Sequence, residues 1–270
     1  MNKLALSPNS LIGVPALEYI DALVKAGYDG IGLRMYASPG VNYESVTQPV
    51  TGNTALVRDI KRALDDSGLI RYDALSYYIR PNFDLERMMP SLEFTRELGF
   101  PFAMAIADDP DWQRQVDNLN RLCDAAAELS LTIVLEAPVT QNTVNTLPLA
   151  LRLIKETGHE NLVVCLDPYH FWRSGHKPEE LAGLDARLFP YTQIRDGMAP
   201  AEGADSAWSE MGAGSVPLHD ILDQLPRGIP LSIEWSRPRG SSFTPAEWAK
   251  VALEGVRTFM AAHDARAGQG

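Results

Sequence analysis

The stretch "FAMAIADDPDWQRQVDNLNRLCDAAAELSLTIVLEAP" (residues 102–138) decides the fold. Phe102–Ala107 is a short apolar run of strand type, and a polar break with two aspartates and a proline ends it. "DWQRQVDNLNRLCDAAAEL" then alternates apolar and polar residues at helical spacing, opening on an Asp suited to an N-cap. A second strand follows at Thr132–Ala137. Parallel neighbours cannot be joined by a tight turn and need a crossover of a dozen or more residues, which this helix supplies.

The same alternation extends in both directions. Strands are expected at Leu4–Ser7, Gly30–Met35, Tyr72–Ile79, Leu162–Asp167, Tyr191–Arg195 and Leu231–Trp235, with amphipathic stretches such as "PALEYIDALVKAG" and "NTALVRDIKRALDDSG" between them. Eight units of about 34 residues fill the chain, the size of a (β/α)8 TIM barrel. The competing architecture, an open doubly wound sheet, loses ground because "LSPNSLIGVP" after the first strand has a single glycine and no phosphate loop. A single-domain barrel over residues 1–263 is expected, followed by a flexible tail, 264–270.

Net charge of −11 with no Lys/Arg-rich cluster argues against a nucleic-acid partner, whose affinity rests on positive charge. No apolar run reaches the roughly 18 residues of a membrane span, and "MNKLALSPNS" lacks a signal-peptide core. Cys123 and Cys165 lie in apolar stretches and read as buried free thiols. A cytoplasmic protein with a small-molecule partner is the expectation, and rim segments such as "FTPAEW" would suit a homo-oligomer.

In a barrel of this kind the C-terminal ends of the strands face a shared pocket. Glu136 ends the fifth strand. Asp167 ends the sixth, "LVVCLDPYH", with His170 three residues on. The seventh, "YTQIRDG", carries Gln193 and Arg195 two apart and hence on one face. Glu234 ends the eighth, with Trp235 and Arg237 after it. Three carboxylates at one mouth raise each other's pKa unless a cation sits among them. With the Gln193 amide oxygen they form a hard ligand set, suited to one Mn2+ or Mg2+ ion more than to Zn2+. Each residue also has a plainer role open to it. Asp167 before Pro168 could cap the next helix, and Arg195 could neutralise Glu136 or Glu234 without a metal.

These residues resemble the xylose isomerase-like TIM barrels of the sugar phosphate isomerase/epimerase and AP endonuclease 2 superfamily. The resemblance spans essentially the whole chain and is strongest from "VLEAP" through "CLDPYHFW" and "YTQIRDG" to "GAGSVPLHDIL" and "LSIEW". It implies metal ligands at Glu136, Asp167 and Glu234, and a substrate contact at His170. The departure is Gln193, where many members have a metal-binding His, with Arg195 where Lys often follows. A Gln variant resembles the dehydroshikimate dehydratase branch. The chain's five histidines are too few for the zinc cluster of the DNA-repair members.

The chemistry expected is proton abstraction next to a carbonyl through a metal-stabilised enediolate, giving isomerisation or epimerisation of a sugar or sugar-like keto or polyol substrate. Glu136 and Glu234 would move the proton. His170, Arg195, Arg34 and Arg237 would hold substrate oxygens, a carboxylate or a phosphate. Trp235 is the best aromatic candidate for ligand contact, among rim aromatics that include Tyr36, Tyr77, Tyr78, Tyr169, Trp172 and Trp208. The alternatives are a dehydratase acting on a cyclic polyol or keto acid, and a barrel that binds such a ligand without turnover. The long segment 197–215 reads as a candidate lid.

Overall fold

The computed structural model describes residues 2–36, 54–198, 207–238 and 240–267. Eight parallel strands run in barrel order: β1 (Leu4–Leu6), β2 (Gly30–Arg34), β3 (Ile70–Ile79), β4 (Phe102–Ala107), β5 (Thr132–Glu136), β6 (Leu162–Cys165), β7 (Thr192–Ile194) and β10 (Leu231–Ile233). β10 pairs with both β1 and β7, and a single parallel bridge, Leu166 to Thr192, joins β6 to β7 and nearly closes the ring. The crossovers carry α1 (Ala16–Ala26), α2 (Thr54–Ser67), α3 (Leu85–Glu97), α4 (Trp112–Glu128), α5 (Leu147–Thr157), α6 (Pro168–Arg173) and α7 (Leu218–Gln224), and α8 (Pro245–Ala267) follows the last strand. This is the expected single-domain (β/α)8 barrel. α8 continues to Ala267, so the first four residues of the expected tail are helical.

Local chemistry explains these elements. Asp84, Asp111 and Thr146 cap α3, α4 and α5 by accepting from backbone N–H groups of the first turn. Leu119, Leu122, Cys123 and Ala126 form the buried face of α4 and pack outside β4 and β5, on Ala103, Ala105 and Ile133. The opposite parity of the same strands fills the barrel, where Leu75, Met104, Val134, Cys165 and Tyr191 make an inner cluster.

β3 departs from this regularity. Between Ile31 and Leu33 of β2 it advances from Arg71 to Ala74, and between Ala103 and Ala105 of β4 it advances from Ala74 to Tyr77. Each step carries one extra residue on β3, the mark of a bulge, and a bulge changes which side chains point inward. Tyr77, expected at the rim, is consequently fully buried outside the barrel. Its hydroxyl lies 3.0 Å from Ser91 Oγ and 3.3 Å from Thr95 Oγ1, and its ring stacks on Tyr36.

At the start of the expected lid, 197–215, β8 (Asp196–Met198) forms a short antiparallel pair with β9 (Ala207–Ser209) inside it. Residues 199–206, which include Glu202, and the side chain of Trp208 lie outside the described residues.

Candidate active site

The strand ends bring Glu136, Asp167, His170, Arg195 and Glu234 close enough to interact, with Gln193 on the same face of β7 as Arg195, and all six are buried. The alternation of a strand does this for β7 and β10. Gln193 and Arg195 share the parity of Tyr191, which faces the barrel interior, and Ser232 and Glu234 are their neighbours across the β7–β10 ladder.

Asp167 is the most engaged of the acids. Its Oδ1 caps α6, accepting from Tyr169 N at 2.7 Å and His170 N at 3.3 Å, and its Oδ2 accepts from Arg195 Nε at 3.1 Å. The plainer reading of Asp167 as a helix cap thus holds, whereas Arg195 pairs with Asp167 rather than with Glu136 or Glu234. Burial alone would raise the Asp167 pKa. The Arg195 charge, His170 and the two cap hydrogen bonds outweigh it and hold the carboxyl below its ordinary value.

Arg195 also places a terminal nitrogen 2.8 Å from His170 Nε2, and its guanidinium lies 4.1 Å over the Tyr169 ring. The backbone N–H of Val139 donates to His170 Nδ1 at 3.3 Å. Both imidazole nitrogens therefore face donors, which disfavours a second ring proton. Burial, opposed by Asp167, brings the His170 pKa down to about 4.

The two glutamates behave in the opposite way. Burial pushes Glu136 well above its ordinary pKa, and the charges of Glu234 and Asp167 add to this. Burial likewise raises Glu234 to about 7, with Arg195 opposing and Asp167 reinforcing. Glu234 Oε1 accepts from Asn9 Nδ2 at 3.3 Å, and Asn9 Oδ1 accepts from Arg34. Arg34 thus reaches the site through Asn9, a residue the sequence reading did not single out.

Do these groups suit a divalent cation? Glu136, Asp167 and His170 bring ligand atoms within 4.8 Å of one another. Glu234 Oε2 and both amide atoms of Gln193 are buried without a hydrogen-bond partner. Glu234 is not in that 4.8 Å group, but buried polar atoms in proteins are normally paired, and its unpartnered oxygen and the Gln193 amide match what a cation would satisfy. Beside Glu136, Asp167, His170 and Phe171 a cavity of about 20 Å³ has room for roughly one water.

Other expected residues lie elsewhere. Trp235 turns outward from Glu234. Its ring packs edge-on against Trp248 of α8, and a Cβ on Gly255 would lie 3.1 Å from it. It is a packing residue and does not line the mouth. Arg237 donates to the carbonyl of Phe243 at 3.1 Å, away from the acids. Asp196, next to Arg195, has a scaffold role. Its carboxylate accepts from the backbone N–H groups of Gly197, Gly212, Gly214 and Val216 and pins the "GAGSV" turn. Gly214 lies so close to Asp196 Oδ1 that a side chain there would collide.

A (β/α)8 barrel whose acids gather at the C-terminal ends of its strands defines a class of proteins, and comparison with known families agrees. The family model described as xylose isomerase-like TIM barrel matches residues 20–262, and the chain belongs to that family. No curated protein matches the sequence. Among solved structures, the IolI protein with a bound zinc atom is 20% identical, covering 97% of this chain and 99% of that one with a TM-score of 0.80. 3-keto-D-glucoside 4-epimerase YcjR from E. coli is 18% identical, with coverage of 96% and 100% and a TM-score of 0.72. The probable 3-DHS dehydratase AsbF from Bacillus anthracis is 16% identical, with coverage of 93% and 98% and a TM-score of 0.71. The chain spans 44% of the length of a xylose isomerase-like TIM barrel/4-hydroxyphenylpyruvate dioxygenase fusion protein, at 18% identity and a TM-score of 0.79. At these identities the likeness is one of fold.

Proposed function

We propose that the protein is a divalent-metal-dependent isomerase or epimerase of a sugar or sugar-like keto or polyol substrate, acting by proton transfer next to a carbonyl. The observation that carries this reading is the gathering of three buried acids, Glu136, Asp167 and Glu234, at the C-terminal ends of barrel strands, with His170 against two of them and an unpartnered Oε2 on the third. Two carboxyl groups at one buried site can take a proton from the substrate and return it.

Glu136, Asp167 and Glu234, with Gln193 or His170, would hold the ion. With Gln193 the set is all oxygen and suits Mn2+ or Mg2+, whereas the His170 imidazole would add a nitrogen donor and leave Zn2+ acceptable. Such an ion would supply Lewis-acid polarisation of the substrate carbonyl. The protein's own groups do the rest. Glu136 and Glu234 move the proton, one on each side of the substrate. Arg195, fixed by Asp167 and Tyr169, holds a substrate oxygen, and His170, whose Nε2 faces Arg195, borders the same place. Arg34 and Asn9 hold Glu234 in place.

The 3-keto-D-glucoside 4-epimerase among the fold neighbours supports this reaction, and the probable 3-DHS dehydratase supports the nearest alternative, in which the same enediolate expels a β-hydroxyl. Gln193, in the place where many family members carry His, favours keeping that alternative in view. One experiment separates them. The protein is dialysed, loaded with Mn2+ and incubated with ketoses, keto-glycosides and cyclitols in D2O. C–H exchange without loss of water is the expected result, whereas an unsaturated, ultraviolet-absorbing product would replace the isomerase with a lyase. Metal uptake without exchange on any substrate would leave a binding protein.

A further inference from the structure

Below the acids, the barrel interior has two unlike sides. Leu75, Met104, Val134 and Cys165 form an apolar side, and Tyr191 reaches across to it. The other side is built from small residues. Ala5, Ser232 and Gln193 are register partners across β1, β10 and β7, and Gly32 stands on β2. Asp73 points into this side. The bulge between Arg71 and Ala74 aims it there, against Gly32, where a Cβ would collide with its Oδ1.

Asp73, Gln193, Ser232 and Tyr191 are at most 1% exposed. Both carboxylate oxygens of Asp73, the hydroxyls of Tyr191 and Ser232, and both amide atoms of Gln193 have no hydrogen-bond partner. The Tyr191 hydroxyl lies close enough to Asp73 and to the Cys165 thiol to feel both, yet forms no hydrogen bond of regular geometry with either. Four orphaned polar side chains from three strands, around a place lined by Gly and Ala, are the setting in which a buried water finds its two to four partners.

We propose that this chamber binds ordered water, which ties the Gln193 NH2 down to Asp73 and so turns Gln193 Oε1 up toward the acids. Asp73 is then a positioning residue for the cation site, and this role rests on the cation reading above. With both hydrogens of the water given to the acceptor oxygens of Asp73, only its lone pairs face the amide, and these select the NH2 end. An asparagine in its place offers a donor as well and removes the preference.

Crystals of the metal-free and Mn2+-loaded protein, together with Mn2+ titrations of wild type, Asp73→Asn and Tyr191→Phe, test this. Expected are water density bridging Asp73, Tyr191, Ser232 and Gln193, and Mn2+ binding weakened by about tenfold in Asp73→Asn, as losing an outer-shell partner does. Tyr191→Phe should lose one bridging contact and weaken binding less. If Asp73→Asn does not fold, the Tyr191→Phe titration and the wild-type density decide. A dry chamber, or Asp73 resting directly on Gln193, overturns the water site, and unchanged Mn2+ affinity in folded Asp73→Asn overturns the positioning role. Bridging water in a wild type that takes up no Mn2+ would support the chamber and count against the cation reading alone.

Discussion

Asp167 and Glu234 are both buried carboxylates at barrel strand ends, with β7 between them, yet their surroundings differ. Every oxygen of Asp167 is used: two backbone N–H groups hold one and the Arg195 guanidinium holds the other. Glu234 has one hydrogen bond, from Asn9, and an orphaned Oε2. The contrast separates their pKa values, one below its ordinary range and the other near neutrality. A satisfied carboxylate is a fixed charge, and an unsatisfied one is available to bind or move something.

The first way to break the comparison is to neutralise each acid in turn. Glu234→Gln should lower kcat by a hundredfold or more, the range of general acid–base catalysis, while its melting temperature holds or rises. Asp167→Asn should instead cost about 3–5 kcal/mol of stability, because it strands the buried Arg195 charge. Thermal melts beside turnover assays check both, and a stable Asp167→Asn would show that the ion pair does not matter as argued.

pH gives the next largest effect. An acid whose folded pKa is raised binds its proton more tightly in the folded state, so stability falls as pH rises from its unfolded value through the folded one. Glu234, from 4.5 to about 7, Asp73, from 3.8 to about 6, and Glu136 all act this way. His170, lowered from 6.5 to about 4, acts oppositely and only below its unfolded 6.5. The chelated protein should therefore lose on the order of a few kcal/mol between pH 5 and pH 8, and Mn2+ should restore it at pH 8. Scanning calorimetry with and without the ion is the check.

Asn9→Ala sharpens the comparison further. It removes the hydrogen bond that lowers the Glu234 pKa, so the corresponding limb of the pH–rate profile should move up by less than about one unit. The smallest effect is expected for Trp235→Phe: roughly 1 kcal/mol of stability and no change in KM, since its ring packs on α8. A raised KM would return Trp235 to the mouth.

Much of this was legible in the chain. The strand–helix alternation predicts the barrel because crossover length and strand parity are local properties. The acids at strand ends, together with Gln193 and Arg195 two apart, follow from the same period of two. Tyr77 and Trp235 were misplaced for instructive reasons. A bulge shifts the parity of β3 with no mark in "YDALSYYI", and the residue after a strand-end glutamate faces outward by the very alternation that turns the glutamate in. Asn9 gave no signal, since a lone Asn in "SPNS" reads as a turn former.

By itself, then, the order of residues determined the architecture and which polar groups end at its mouth, since both depend on spacing along one strand. Which of those groups meet was settled only in three dimensions. Arg195 chose Asp167, Asn9 joined Arg34 to Glu234, and Asp73 came to lie against Gly32 inside the barrel. Partner choice between strands depends on register, bulges and the room left by small residues, and these arise only when the ring closes.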